Sequence, residues 1–371
     1  MYLIVGCGLS GIVLAERIAN ELNKKVVIIE KRDHIAGNCY DYIDPDTGIL
    51  LNKYGAHLFH TNNKKVWDYV NTFCDWIRWD HAVLSFVDEQ FVNMPVNINT
   101  VNKLCNENIQ TEKDMLDWLK ENQVVYNKIN NSEEMAKSRV GEKLYKKLFH
   151  NYTIKQWAKD PKELNKSVLE RIPIRSNFDT RYFTDKYQAL PKFGYTHFCQ
   201  KMLNSKNIEY NLNTDFFDFK KKNDLSKFDA IIYTGPIDDY FPDMDKLEYR
   251  SIDFKIEKKF NTRYYQPNSV VNYPELKYNF TRIVEYKHFL NQESEHTIIV
   301  SETSNDNGDP YYPVPNKRNL DLYEKYKQKA ENEEINNIYF LGRLANYKYF
   351  NMDAAIQNSL DFFEKKLNII Y

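Results

Sequence analysis

Residues 2–30 constrain this chain more than any other stretch. Tyr2-Leu-Ile-Val-Gly6-Cys-Gly8-Leu-Ser10-Gly11 is a short apolar strand running into a glycine-rich turn. Ile12 to Asn23 reads as a helix with Val13, Ala15, Ile18, Ala19 and Leu22 as its apolar positions, and a second apolar strand, Val26 to Ile29, ends in Glu30. Strand, G-x-G-x-x-G turn, helix, strand and an acid about 20 residues on make a βαβ dinucleotide fingerprint. Gly6 permits the tight turn, Gly8 lets the backbone approach a pyrophosphate, and Gly11 lets the helix pack closely on the sheet. The helix N-terminus, where Ser10 lies, offers unpaired N–H groups to an anion. Glu30 is placed to accept a hydrogen bond from a ribose hydroxyl. A glycine-rich turn in some other α/β protein is the competing reading; the complete series in order argues against it.

The chain continues Lys31-Arg32-Asp33-His34-Ile35-Ala36-Gly37-Asn38. This resembles the loop of glutathione-reductase-type flavoproteins, in which a basic residue and a few spacers precede Gly-Gly, with Ala36 in place of the first glycine. The loop and the fingerprint together point to FAD, with Lys31, Arg32, Gly37 and Asn38 as further contacts.

At 371 residues the chain is long enough for two or three packed units. Its net charge of −1 leaves no broad field for nucleic acid or a membrane surface, so any anion site is local. No stretch approaches the roughly 18 apolar residues of a membrane span. The apolar N-terminus lacks a basic leader and is broken by glycines, so it reads as a strand and not a signal peptide. Five cysteines without a C-x-x-C pair argue against a disulfide framework or a zinc site and fit a reducing, cytoplasmic setting. No metal is expected. Only 12 of the 51 basic residues are arginine, so an arginine in a motif suggests a need for its planar two-pronged donor.

Along the chain, Asp41 to Gly48 reads as a polar, turn-rich connection, Lys64 to Phe73 as a helix and Val83 to Met94 as strands. Val96 to Asn131 is helical and polar, with Thr111 as a helix cap. In Glu133 to Tyr152, Leu144, Tyr145, Leu148, Phe149 and Tyr152 fall on one face, which reads as core and not ligand site. Ile252, Phe254 and Ile256, then Val270 to Tyr273, Phe280 to Phe289 and Thr297 to Thr303, read as an antiparallel sheet unit. Ala230 to Pro236 and Ile338 to Gly342 are strands ending in glycine turns, and Met352 to Leu367 is a terminal helix. The expected architecture is α/β. A discontinuous Rossmann-like FAD-binding domain (1–80, 185–240 and 331–371) carries a helical insert (96–165) and an antiparallel sheet substrate domain (81–95, 170–184 and 245–330).

Several separated motifs are similar to those of the bacterial-type UDP-galactopyranose mutases. They are Lys53-Tyr-Gly-Ala-His-Leu-Phe-His-Thr61, Tyr152-Thr-Ile-Lys-Gln-Trp157, Arg171-Ile-Pro-Ile-Arg175, Tyr182-Phe183, Tyr233-Thr-Gly-Pro-Ile-Asp238, Thr281-Arg282 before Glu285, Pro310-Tyr-Tyr-Pro313 and Gly342-Arg343-Leu344. The resemblance covers nearly the whole chain, in order. It implies a flavin-dependent isomerase that interconverts UDP-galactopyranose and UDP-galactofuranose without net oxidation. In that family picture N5 of reduced FAD attacks the anomeric carbon and displaces UDP. It implies Arg175 and Arg282 as a diphosphate clamp, with His60 beside the flavin and sugar and His57 next to it. Tyr152, Thr153, Trp157, Tyr182 and Phe183 would line the uridine side, and Asn272 would be a polar contact. Tyr311 and Tyr349 would bond phosphate oxygens, the choice within Tyr311/Tyr312 and Tyr347/Tyr349 staying open. Gly235, Gly342, Arg343, Met352 and Asp353 would close the flavin pocket. Val168 to Phe178 would be a mobile lid, and the assembly a homodimer. Asn351 stands where relatives often carry Asp, which removes a charge near the phosphates. The competing activities are a UDP-N-acetylgalactosamine mutase, or a flavin oxidoreductase of the amine oxidase or desaturase type sharing only the fold.

Overall fold

The computed structural model describes residues 1–170 and 172–368. Arg171, one of the motif arginines, therefore lies outside the described residues.

The chain builds a five-stranded parallel sheet in the order Ile208–Asn211, Val26–Ile29, Tyr2–Val5, Ala230–Tyr233, Ile338–Phe340. In chain order this is 3-2-1-4-5, the doubly wound Rossmann arrangement. The order reverses between Tyr2–Val5 and Ala230–Tyr233, and ligands of such sheets bind in the crevice beyond the strand ends at that point. The glycine turn after Val5 and the Thr234-Gly235 turn open there together.

The helix Leu9–Glu21 begins earlier than its apolar spacing suggests, directly after Gly8. Ile12, Val13, Leu14, Ala15 and Ile18 are buried without measurable exposure, packed between the sheet and the helix Met352–Phe362. Ser359 Oγ, in the C-terminal half of Met352–Phe362, donates to Ser10 O at 3.2 Å in the first turn of Leu9–Glu21 and joins the two helices. The glycines have steric causes. A Cβ on Gly11 would fall well inside contact distance of the Gly6 carbonyl, and Gly6, at φ +105°, would press on Thr234. Gly8 has ordinary extended backbone, with only the Gly37 Cα, 3.8 Å away, near a built Cβ. Ala36, where glycine is usual, is fully buried at φ +71°. The left-handed turn is thus kept without the residue that adopts it at least cost.

A seven-stranded sheet runs Tyr312–Pro313, Tyr249–Lys259, Thr297–Asn305, Arg282–Glu285, Val270–Asn272, Val83–Val87, Gln90–Met94. Its pairings are antiparallel apart from that of Val270–Asn272 with Val83–Val87, which is parallel, so the expected all-antiparallel unit is corrected to a mixed sheet. Those two strands are far apart in sequence and no hairpin fixes their direction. The expected strand Phe280 to Phe289 is also shorter. Only Arg282–Glu285 pairs, and Tyr286–Asn291 turns as 3-10 helix with Leu290 at φ +59°. Asp41 to Gly48 is not all loop, because Asp41–Ile43 pairs with Leu50–Asn52 around a turn in which Asp44 accepts from the Thr47 N–H at 3.0 Å. A three-stranded sheet joins Phe59–Thr61, Tyr187–Pro191 and Trp76–Arg78.

The helices Ile98–Cys105, Glu112–Asn122 and Ser132–Leu144 start at Asn97, Thr111 and Asn131, whose side chains accept first-turn N–H bonds. Their apolar faces share one hydrophobic cluster with the seven-stranded sheet, Val101, Leu104, Met115 and Leu144 packing with Val83, Val92, Val284 and Val300. Leu144, Tyr145, Leu148 and Phe149 are buried as expected. A wide π turn, Tyr145–His150, adds a residue to the register before the helix Asn151–Trp157. It brings Leu148, Phe149 and Tyr152 onto the wall of a cleft, so this face is core and ligand wall at once. The helix Lys317–Glu333 packs through Leu322 and Tyr326 against Ile237, Leu247 and Tyr347, beside the parallel sheet. No helix among the described residues is long and apolar enough to cross a membrane.

Candidate active site

Two cavities share a wall. The first, of about 270 Å³, opens at the reversal of the parallel sheet. Gly6, Gly8, Ser10, Glu30, Lys31, Arg32, Gly37, Asn38, Gly235, Gly342 and Arg343 line it. Gly8 precedes the helix Leu9–Glu21 with no side chain capping its first N–H groups, which leaves them for an anion. The Gly8 and Gly37 backbones face each other so closely that a Cβ on Gly37 would come within 2.8 Å of the Gly8 Cα. Glu30 accepts from the Cys7 N–H at 2.8 Å and the Arg32 N–H at 2.9 Å, which fixes its carboxylate at the cavity edge. Arg32 reaches Asn38 at 2.9 Å and Asp309 at 3.0 Å and lies 4.4 Å over the Tyr54 ring. Gly11 does not line the cavity; its place is the helix–strand contact. A slit of glycine backbone, an open helix N-terminus and a fixed acid fit a dinucleotide.

The second cavity is a cleft of about 470 Å³. One wall is the helix Asn151–Trp157, which presents Tyr152, Thr153, Gln156 and Trp157. The opposite wall is sheet: Ser85, Asn272, Arg282 and Glu302. Tyr182, Phe183, Asp185 and His60 close one side, Tyr312 and Tyr349 another. His57, Arg343, Asn351 and Met352 line both cavities and form the shared wall. The helix Met352–Phe362 starts there, and Asn351, at its cap position, makes no side-chain cap bond.

Arg282 and Glu302 face each other on paired strands, and Arg282 Nε donates to Glu302 Oε2 at 2.7 Å. Burial is the largest single effect on Arg282 and opposes its charge, but Glu302 together with the Tyr152 and Tyr312 hydroxyls outweighs it, so the guanidinium pKa is raised. Neither terminal nitrogen of Arg282 donates to a described residue, so both are left for the cleft. Glu302 Oε1, Ser85 Oγ and His81 Nδ1 are buried without a hydrogen-bond partner among the described residues. Such orphaned groups are costly in a closed protein and suit a polar ligand. Burial lowers the His81 pKa to about 3, helped by Arg282 and His60. Burial likewise lowers that of His57 to about 4, helped by Arg343 and Arg282, so both rings are neutral near pH 7. His57 Nδ1 lies 2.8 Å from Gly55 O, which assigns the proton to Nδ1 and leaves Nε2 as an acceptor.

Besides Gly11, four expected residues are placed differently. His60 lines the cleft and not the dinucleotide cavity; its ring stacks on Phe183 at 3.6 Å and its Nδ1 meets Asp185 at 3.0 Å. Tyr311 lines neither cavity and packs beside Tyr54 and Phe254, while its neighbour Tyr312 faces the cleft, stacked 5.5 Å from Tyr349. In the other pair Tyr349 lines the cleft, and Tyr347 is buried with its hydroxyl on Glu248 O. Asp353 lines neither cavity; its carboxylate accepts from the Ala354 N–H at 2.7 Å. Arg175 is also absent from both linings. It donates to Arg181 O at 3.2 Å and Tyr182 O at 3.4 Å, and its Nε is buried without a partner among the described residues. Ile172 and Pro173 of the same loop do reach the cleft. Among the cleft residues that the sequence does not single out are Ser85, His81, Asp185 and Glu302, while Tyr312 is the open alternative to Tyr311. Glu302 had a readable signal, a carboxylate at the end of the apolar run Ile298-Ile-Val-Ser-Glu302.

A family model for UDP-galactopyranose mutase matches residues 147–349, and one for an NAD(P)-binding Rossmann-like domain matches residues 4–73. A probable UDP-galactopyranose mutase of Klebsiella pneumoniae is 36% identical over 96% of this chain and 92% of its own. A dTDP-fucopyranose mutase of Escherichia coli is 37% identical over 97% of this chain and 96% of its own. Among solved structures, a reduced UDP-galactopyranose mutase superposes with a TM-score of 0.79 at 18% identity, covering 99% of this chain and 95% of that one, which establishes likeness of fold. The sequence matches run through both cavities and the wall between them, and on them the chain belongs to the UDP-galactopyranose mutase family.

Proposed function

We propose that this chain is an FAD-dependent UDP-galactopyranose mutase. The observation that carries the reading is the shared wall. A cleft holding a guanidinium with two uncommitted nitrogens, Arg282, opens beside the dinucleotide slit across His57, Arg343, Asn351 and Met352. An oxidoreductase sharing the fold has no evident need for an anion clamp there.

FAD would sit with its pyrophosphate at the Gly6–Gly11 turn and the Gly37 backbone, its ribose at Glu30, and its ring toward the shared wall. When bound and reduced, the flavin supplies an electron-rich ring nitrogen as the nucleophile for the anomeric carbon. The chain's own residues do the rest. Arg282 holds the diphosphate and offsets the charge that grows as UDP leaves and returns. Glu302 fixes the direction of that guanidinium through its 2.7 Å bond. Tyr312 and Tyr349 offer hydroxyls to phosphate oxygens, and Tyr152, Trp157, Tyr182 and Phe183 pack on the base and sugar. Asn272 is a neutral polar contact. His57, neutral with an acceptor Nε2, adds no charge to repel a cationic anomeric centre. Arg175 joins the clamp by leaving the carbonyls of Arg181 and Tyr182 when the Val168–Phe178 loop closes. His60, held by Asp185, supports Phe183 from the cleft side.

The Escherichia coli relative acts by its name on a dTDP-sugar, and it is as similar to this chain as the Klebsiella protein, so the test includes that substrate. The dithionite-reduced protein is offered UDP-galactopyranose, UDP-N-acetylgalactosamine and dTDP-fucopyranose separately, and the products are chromatographed. The expected result is conversion of UDP-galactopyranose with kcat/KM at least about tenfold above the other two, a difference of roughly 1.4 kcal/mol. A higher kcat/KM for either competitor moves the assignment to that sugar. The homodimer implied by the resemblance is read by sedimentation of the same sample.

A further inference from the structure

The helix Asn151–Trp157 carries a residue that faces away from the cleft and yet joins its two walls. Lys155 extends toward the turn between the strands Val270–Asn272 and Arg282–Glu285. Its Nζ lies within hydrogen-bond reach of four main-chain carbonyls of that turn, Tyr273 O, Glu275 O at 3.1 Å, Tyr278 O at 3.2 Å and Phe280 O at 2.8 Å, so its three N–H groups are shared among four acceptors. The turn is built around the ammonium much as an oxygen cage surrounds a cation. Tyr273, Tyr278 and Phe280 pack their rings on one another outside it, with centroids 4.9 to 5.7 Å apart. Burial draws the Lys155 pKa down to about 8 and Glu275 opposes this. A ring of acceptors with no donor favours the protonated form.

The caged turn ends on two cleft residues. Asn272 precedes Tyr273, Arg282 follows Thr281, and the two are direct register partners across the hairpin. The base of the turn is closed by the Tyr273 N–H donating to Thr281 O at 2.8 Å. On the other side of Lys155, its helix neighbours Tyr152, Thr153, Gln156 and Trp157 form the opposite wall. One ammonium therefore sets the spacing between the aromatic wall and the Asn272/Arg282 wall.

We propose that Lys155 is a positioning residue for the UDP-sugar site: by clamping the 273–280 turn to the helix Asn151–Trp157 it fixes Arg282 and Asn272 across the cleft from Tyr152 and Trp157, and so sets affinity for the nucleotide diphosphate without touching it. The proposal rests on the UDP-sugar reading above, and its test separates the two.

The variants are Lys155→Met, which keeps length and loses every donor, and Lys155→Arg, which keeps the charge but presents a planar fork to a cage shaped for a tetrahedral group. Three quantities are measured on flavin-loaded protein: UDP dissociation constant, KM and kcat for the sugar nucleotide, and amide exchange of residues 272–282 without ligand. In Lys155→Met the turn should exchange about tenfold faster, and the UDP dissociation constant and KM should rise about tenfold or more, as expected for losing hydrogen bonds to a charged group. Bound flavin should stay within about twofold, and kcat should fall by less than KM rises, because the displaced Arg282 weakens binding in ground and transition states alike and loses only part of the extra contact made as UDP leaves. Lys155→Arg should fall between wild type and Met, and it carries the KM test if the Met variant does not fold. Faster exchange with unchanged UDP affinity would make Lys155 a structural clip only and overturn the proposal, as would unchanged exchange. A wild-type protein that binds no UDP defeats the site assignment itself, while the exchange result still reports on the clamp.

Discussion

Arg282→Met should lose UDP binding and fold stability together. The guanidinium is the partner of Glu302, a carboxylate only 2% exposed, so its removal leaves a buried charge alone. Breaking such a pair from one side costs about 3–5 kcal/mol of stability. Losing a guanidinium from a phosphate contact costs roughly 2–5 kcal/mol in binding, or about 30-fold and upward in kcat/KM. The two effects separate in the double variant Arg282→Met/Glu302→Gln. The neutral amide removes the orphan charge and should restore most of the denaturation midpoint. UDP affinity should stay as low as in the single variant, because the anion contact is still missing. Recovery of UDP affinity in the double variant would mean that Arg282 serves the fold and not the ligand.

The second large effect lies in the glycine turn, where two similar substitutions should behave differently. Gly11→Ala places a methyl against the Gly6 carbonyl in a helix–strand contact that has no room for it. Overpacking of this kind costs about 1–3 kcal/mol, and the variant should show a lowered midpoint even without flavin. Gly8→Ala meets nothing closer than 3.8 Å and needs no unusual backbone, so its flavin-free stability should stay within about 0.5 kcal/mol of wild type. Its methyl intrudes on the slit opposite Gly37 where the pyrophosphate of the proposed FAD would approach, and purified protein should carry little flavin. Absorbance at the flavin band and urea unfolding of the stripped proteins measure both. Full flavin occupancy in a stable Gly8→Ala protein would move the pyrophosphate away from this turn.

The fingerprint was legible because its physics is local. Gly11 meets Gly6, and Glu30 holds the Cys7 N–H, within one strand–turn–helix–strand unit, while the other contacts of Gly6 and Gly8 come from Thr234 and Gly37 outside it. The cleft was legible only through resemblance, and the structure shows why residue spacing alone is not enough. Tyr311 and Tyr312 are adjacent on extended backbone and point opposite ways, so one packs beside Tyr54 and the other reaches the cleft. Deciding between them requires the register of Tyr249–Lys259 with Tyr312–Pro313, a long-range property. Tyr152 shows the same limit in a helix. A regular 3.6-residue pattern makes its face core, and the π turn before it shifts the register onto the cleft. Arg175 was singled out by its motif, yet its guanidinium rests on the Arg181 and Tyr182 carbonyls, an arrangement of a loop that no periodicity encodes. Ser85 is not evident because a lone polar residue in a strand reads as an ordinary solvent-facing position; His81 lies just before that strand, and its ring is packed by those of Tyr182, Phe183 and Phe289, which come from segments far apart in sequence.

In the proposed function the dinucleotide slit and the arginine cleft work as one site, in which a reduced flavin is needed but not consumed. The most direct measurement is a turnover count after a single reduction. Protein is reduced once with a stoichiometric amount of dithionite under anaerobic conditions, supplied with excess UDP-galactopyranose and no NAD(P)H, and the UDP-galactofuranose formed per flavin is counted. Many products per flavin are expected, with the flavin still reduced at the end and the unreduced protein nearly inactive. One product per reducing equivalent, or equal activity from the oxidised protein, would contradict the proposed function.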